Sequence, residues 1–276
     1  MALTLMTSQS AARLPASRPP ARRPGAHRAA RPWTSRPAAD HAMAAPPRAS
    51  GPDEVIWVYA ITDGLRPGQL DGVTGVGREP VRAVTAAGLT AVVGSVDARS
   101  FGEQALASLL GGLDNIARVG RAHHRVIERA AAGGPVLPLR LATLHPDDTT
   151  VRALLGSRRG EFTELLEKFR HRVEWGVQIY ARPGDPEAVA EAEAAADLID
   201  VALSDVAVSA RRQPAEDPQF ADRGEWMALN AAYLLDADRA AGFTAVLHGL
   251  TSRQAGMRAE LNGPWPPYSF VDGLEA

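Results

Sequence analysis

Two adjacent histidines, His123 and His124, are the side chains of this 276-residue chain whose type points most directly to chemistry. Imidazole is a metal ligand, a general base or a proton relay near neutral pH. The pair falls inside a stretch with helical periodicity, Leu113 to Ala131. Neighbouring helical positions diverge by about 100°, so both rings cannot reach one metal, whereas His124 and Glu128, four apart, share a face. His27, His41, His145, His171 and His248 supply no third ligand at ligand-like spacing. Both histidines therefore read as partly buried residues held by local hydrogen bonds.

Other chemistry is harder to find. Gly72, Gly75 and Gly77 resemble a phosphate loop, but they fall as G-x-x-G-x-G, and an extended segment follows where a helix N-terminus should hold the anion. There is no G-x-S-x-G elbow, and the acids look like ordinary helix-surface residues. The chain has no cysteine, which removes disulfides, thiolate metal sites and a thiol nucleophile, and suits a reducing cytoplasm. No catalytic, cofactor-binding or metal-binding set is expected.

These residues must be held by elements that the pattern marks out. Val55–Ile61 is apolar on both alternating faces, as in a strand buried within a sheet. Val81–Thr85 and Leu89–Val96 form a hairpin across Ala87-Gly88. In the helix that follows, Leu113, Ile116, Ala117, Gly120, Ile127 and Ala131 share a face, and Arg118, Arg121, Arg125 and Arg129 line the other. Pro135–Leu144 is an extended segment that Pro138 makes irregular. Asp147 or Asp148 starts a helix, and Phe162, Leu165, Leu166 and Phe169 mark another.

The last third reads strand (Val173–Tyr180), helix (Pro186 to about Ser204), strand (Val206–Arg211), strand (Glu225–Leu235), helix with Asp236 as cap, and strand (Met257–Leu261). This β-α-β-β-α-β order is that of a ferredoxin-like domain. RNA-recognition domains share the order, but they place basic and aromatic residues on the third strand. Here that strand has no Lys or Arg, so no nucleic-acid partner is expected. Asn230 within it reads as a structural hydrogen-bonding residue.

Charge divides the chain in three. Residues 1–50 carry eight Arg against one acid, 51–170 are balanced at 14 each, and 171–276 hold eight basic and 17 acidic residues. The first segment has eight Pro, 14 Ala and no Ile, Val or Phe, which predicts a disordered arm over 1–53. Its Arg-rich, acid-poor character resembles an organelle transit peptide. Against that, 29 of the 30 basic residues are Arg, a bias of GC-rich bacterial genomes, and Met43 competes with Met1 as the start. No apolar run reaches the roughly 18–20 residues of a membrane span, so no membrane partner is expected. The expected class is α+β with two domains: a mixed N-terminal α+β domain over 54–171 and a ferredoxin-like domain over 172–276 ending in a Pro/aromatic tail.

That tail, GPWPPYSF (Gly263–Phe270), together with GEWMALNAAYLLD (Gly224–Asp236), VLPLRLATL (Val136–Leu144), EWGVQIYA (Glu174–Ala181) and WVYAI (Trp57–Ile61), resembles the gas vesicle protein L/F (GvpL/GvpF) family. The matches run in family order over residues 55–271. The resemblance implies a cytoplasmic, non-enzymatic accessory factor in assembly of the gas vesicles that make bacterial cells buoyant. It would act by contacts with the shell protein and other gas vesicle proteins, with two α+β domains, the second a modified ferredoxin-like one. The short acidic Pro186–Ser204 segment departs from the longer basic stretch often found there in the family, and the Arg/Pro arm has no expected counterpart. Contacts are assigned to Pro138, Leu139 and Arg140, and to Trp265, Pro266, Tyr268 and Phe270. The competing reading is a small-molecule sensor or enzyme on ferredoxin-like domains, with a pocket around His123, His124 and Arg140.

Overall fold

A computed structural model describes residues 53–102, 105, 112–215 and 225–271. The arm read over 1–53, apart from Asp53, and Gly224 of the motif block lie outside the described residues.

The first sheet is built around β1 (Glu54–Thr62). β1 pairs antiparallel with β3 (Leu89–Asp97) on one side, and with β4 (Val136–Pro138) and β5 (Leu144–His145) on the other. β2 (Val81–Ala86) closes the far edge through a hairpin with β3, turning at Ala87 and Gly88, whose φ of 54° and 79° match a two-residue primed turn. From Ile56 to Thr62 every β1 residue is buried, as its two-faced apolar pattern requires. The faces feed different cores: Ile56, Val58 and Ile61 one, Trp57, Tyr59 and Ala60 the other. Strict alternation would send Ala60 with Val58. A bulge between Val58 and Ala60 in the pairing with β3 adds the residue that flips the phase.

On the Trp57 side lies α2 (Leu113–Ala131), preceded by the short α1 (Ala98–Phe101). Its arginines 118, 121, 125 and 129 face solvent as expected. Its buried face is Val119, Gly120, Ala122, His123, Val126, Ile127 and Ala130, which includes Gly120 and Ile127 of the predicted set; Ile116, Ala117 and Ala131 are half-buried, and the Leu113 side chain lies outside what the structure describes. On the Ile56 side pack α3 (Asp148–Ser157) and α4 (Arg159–Phe169), through Val151, Leu155, Phe162, Leu166 and Phe169. Asp147 caps α3 by accepting the Thr150 N–H at 2.8 Å in a reciprocal capping box.

The second sheet has the order β7-β8-β6-β9, all neighbours antiparallel. Its strands are β6 (Arg172–Ala181), β7 (Ser209–Arg212), β8 (Trp226–Asp236) and β9 (Met257–Trp265). α5 (Pro186–Val206) and α6 (Ala240–Thr251) cover one face, on which Ile199, Leu203, Tyr233, Phe243 and Leu247 form a core. β8 alternates: Leu229, Ala231, Tyr233 and Leu235 point to that core, while Ala232 and Leu234 join Ile56, Leu137 and Phe162 of the first half. The two sheets thus share one apolar cluster.

Three local readings change. α5 continues through Val206, so β7 starts at Ser209 rather than Val206. Asp236 makes no side-chain cap; its carboxylate takes the Arg172 guanidinium at 3.1 Å instead. β9 runs past Leu261 to Trp265 because Gly263, at φ 142° and before a cis proline, absorbs a register break opposite Glu174–Gly176. A side chain at Gly263 would strike the Trp175 ring at 3.0 Å.

Candidate functional site

The fold brings the two predicted contact segments together. β4 hydrogen-bonds to the end of β1, placing Pro138 opposite Ala60, and Leu139 N–H donates to Tyr59 C=O at 2.9 Å. After β9 the chain turns through Pro266 and Pro267 into a single 3-10 turn, Tyr268–Phe270. Leu139 and Phe270 enter the shared cluster. Pro138, Leu139 and Phe270 are buried, Trp265, Pro266 and Tyr268 are half-buried, and Arg140 is exposed.

The histidines of α2 lie between these segments, pointing apart as helical neighbours must. His123 faces β1: Trp57 Nε1–H donates to its Nδ1 at 2.9 Å, and its Nε2 lies 3.0 Å from Leu139 C=O. The first contact makes Nδ1 an acceptor, which leaves the proton on Nε2 to be donated to Leu139. Burial pushes this imidazole down to about 4, so the neutral form is the structural one. His124 faces the closing turn, with Nδ1 2.6 Å from the Tyr268 hydroxyl and its ring 5.1 Å from that of Trp265. Burial lowers its pKa, opposed by Glu128, whose carboxylate lies 3.3 Å from Nε2. Both nitrogens of His123 are committed to holding α2 on β1 and β4. Among the described residues no group of three or more His, Asp or Glu could hold a metal ion.

A second anchor fixes the closing turn to the other sheet. Glu174 of β6 is buried and accepts from Ser269 N–H at 2.8 Å and from Ser269 Oγ at 2.7 Å. Gln213 donates to the same Oγ at 2.8 Å. Burial raises the Glu174 carboxyl to about 7, with the Ser269 bonds and Arg211 pulling the other way. The turn is therefore tied by Tyr268 to α2 and by Ser269 to β6. Sequence reasoning missed Glu174 and Ser269, whose signal was an acid inside the largely apolar strand EWGVQIYA.

The glycine loop has a structural explanation. Tyr59, fully buried, donates to Glu79 and accepts from Val76 N–H at 2.9 Å, and Glu79 also accepts from Gly77 N–H at 2.8 Å. A Cβ at Gly75 would overlap both the Tyr59 hydroxyl and the Glu79 carboxylate. Gln69, in the same loop, donates to the Arg129 and Ala130 carbonyls at 2.7 and 2.8 Å and so satisfies the end of α2 from sixty residues away. A shallow cleft of about 170 Å³ lies elsewhere, lined by Asp63, Arg159, Thr163, Glu167 and Arg170, away from His123, His124 and Arg140. Arg170 spans it in ion pairs with Asp63 at 2.7 Å and Glu167 at 2.9 Å. No helix among the described residues is long and apolar enough to cross a membrane.

Known proteins are similar to this chain in sequence and in fold. Gas vesicle protein L of Streptomyces sp. (strain CB03234) is 35% identical over 253 residues, covering 79% of this chain and 93% of that protein. Gas vesicle protein F of the same strain is 28% identical over 251 residues, covering 78% and 99%. The crystal structure of GvpF from Anabaena sp. PCC7120 superposes with a TM-score of 0.62 at 19% identity, covering 79% of this chain and 96% of that one. GvpF from Microcystis aeruginosa gives 0.60 at 17%, covering 79% and 98%. The family described as gas vesicle synthesis protein GvpL/GvpF matches over residues 55–193 and 185–272, and the chain belongs to that family.

Proposed function

We propose that the chain is a non-enzymatic accessory protein of gas vesicle assembly, working in the cytoplasm at the growing vesicle through contacts with the shell protein and other gas vesicle proteins. The family match across residues 55–272 carries this reading. The commitment of both His123 nitrogens to packing supports it, since the best candidate for catalysis is thereby occupied. Residues 54–171 and 172–276 are read as its two domains. The second is read as modified ferredoxin-like, supported by the antiparallel order β7-β8-β6-β9 with α5 and α6 on one face.

For the contact residues, Pro138, Leu139 and Phe270 act by shaping the closing turn, and Arg140, Trp265, Pro266 and Tyr268 present its outer edge. Deleting the gene should abolish or malform gas vesicles, and tagged protein should retain the shell protein in a pull-down. Normal vesicles in the deletion strain, with no retention of the shell protein, would overturn the proposal.

A further inference from the structure

α5 has a second face that the fold leaves unused. Its inner side buries Ala196, Ile199 and Leu203 against the second sheet. Its outer ridge reads Glu187, Glu191, Ala194, Leu198, Val201, Asp205, at intervals of four, three, four, three and four. These are the intervals of core positions in a coiled coil. All six residues are exposed, Leu198 at 70% and Val201 at 60%. Single exposed leucines are ordinary. Here, however, the large apolar residues exposed among the described ones are Leu198, Val201, Val206 and Val208, all on α5 or within two residues of its end.

The charge on this helix is one-sided. α5 has six carboxylates and no Lys, Arg or His. Arg212 engages Asp197 at 2.5 Å and Asp200 at 2.6 Å, on the flank toward the sheet. Glu187, Glu191 and Asp205, at the two ends of the ridge, have no ion pair among the described residues. We propose that this ridge is a docking seam for one amphipathic helix of another protein, apolar opposite Ala194, Leu198 and Val201 and basic opposite the acids at either end. The proposal rests on the protein-contact reading above and names the chemistry of a partner.

Charge decides between occupants. A second copy of α5 would set acids against acids whether it ran parallel or antiparallel, since both ends of the ridge are acidic. The Arg-rich first 50 residues of this chain have the right sign, but eight prolines interrupt them, and their longest proline-free stretch, residues 1–14, holds a single Arg. A basic helix from a different protein satisfies both the spacing and the charge.

The test places a photocrosslinking p-benzoylphenylalanine at position 194 of the full chain, in cells that form gas vesicles, and maps the crosslinked peptides by mass spectrometry. The expected product joins position 194 to a heptad-spaced, net-basic segment of another protein. Leu198→Ser/Val201→Ser should reduce its yield by about 100-fold while moving the melting temperature by no more than about 2 °C. A crosslink to residues 1–52 of the chain, to a second copy, to an acidic segment, or none at all would overturn the proposal. Gas vesicles lost on gene deletion yet normal with Leu198→Ser/Val201→Ser would remove the seam and leave the accessory role standing.

Discussion

α2 and α5 each lie across one sheet and are similar in length, 19 and 21 residues, yet they distribute polarity in opposite ways. α2 keeps four arginines outside and buries a histidine; α5 shows leucine and valine to solvent, with acids at both ends of that ridge and along one flank. The sheets beneath them differ in the same sense. The first half buries a base, His123, and an acid, Asp148, that Arg82 neutralises, and the second buries an acid, Glu174, held by Ser269. Buried polar groups and exposed apolar ones are the departures that carry information. In the first half the departure holds the fold together, and in the second it leaves a surface unfilled.

The sharpest way to break this comparison is to remove both departures and weigh the loss. His123→Ala strands the Trp57 N–H and the Leu139 carbonyl and opens a cavity, and should cost about 3–5 kcal/mol in urea denaturation. A cost below about 0.5 kcal/mol would show that α2 does not depend on its histidine.

Titration sharpens the contrast next. His123 falls from 6.5 to about 4 on folding, so between those values the unfolded chain binds more protons, and stability rises with pH. Glu174 rises from 4.5 to about 7, so across that window the folded chain binds more protons, and stability falls as pH rises. The two slopes oppose each other where the windows overlap. Glu174→Gln should uncover the histidine slope, with stability falling on acidification from pH 6.5 by on the order of 3 kcal/mol. A variant as flat in pH as the parent would break this part of the comparison.

Smaller effects follow. Gln69→Ala removes two hydrogen bonds from the end of α2 and should cost about 1–2 kcal/mol, with faster amide exchange confined to that end. Leu198→Ala should change stability by less than about 0.5 kcal/mol, because the side chain is exposed. A larger loss would mean that the outer ridge of α5 already packs within the chain.

How legible was this in the sequence? Features that recur along the chain were readable: the two-faced apolar run of β1, the Ala87-Gly88 turn, the arginine stripe of α2 and the α5 helix itself. Features made by distant partners were not. Gln69 caps a helix sixty residues away, and Glu174 meets Ser269 ninety-five residues on. Neither leaves a local period. Asp236 had the right type for a cap, but Arg172 across the β6–β8 pair outcompetes the backbone for its carboxylate. The bulge in β1 was hidden because apolar residues on both faces look the same in either phase. Gly75 resembled part of a phosphate loop because its true cause, the Tyr59–Glu79 pair, is itself a tertiary contact.

The shared cluster sets a timetable for synthesis. Phe270 and Val271 fill space beside Ile56, Leu137 and Phe162, so the first sheet's core is completed by residues made more than two hundred positions after β1 begins. Until they are made, α3 and α4 cover that apolar surface but leave the places of Phe270 and Val271 unfilled. Synthesis of residues 270 and 271, rather than of the first half, becomes the moment at which this core closes, and the nascent form before it is the one most in need of a chaperone.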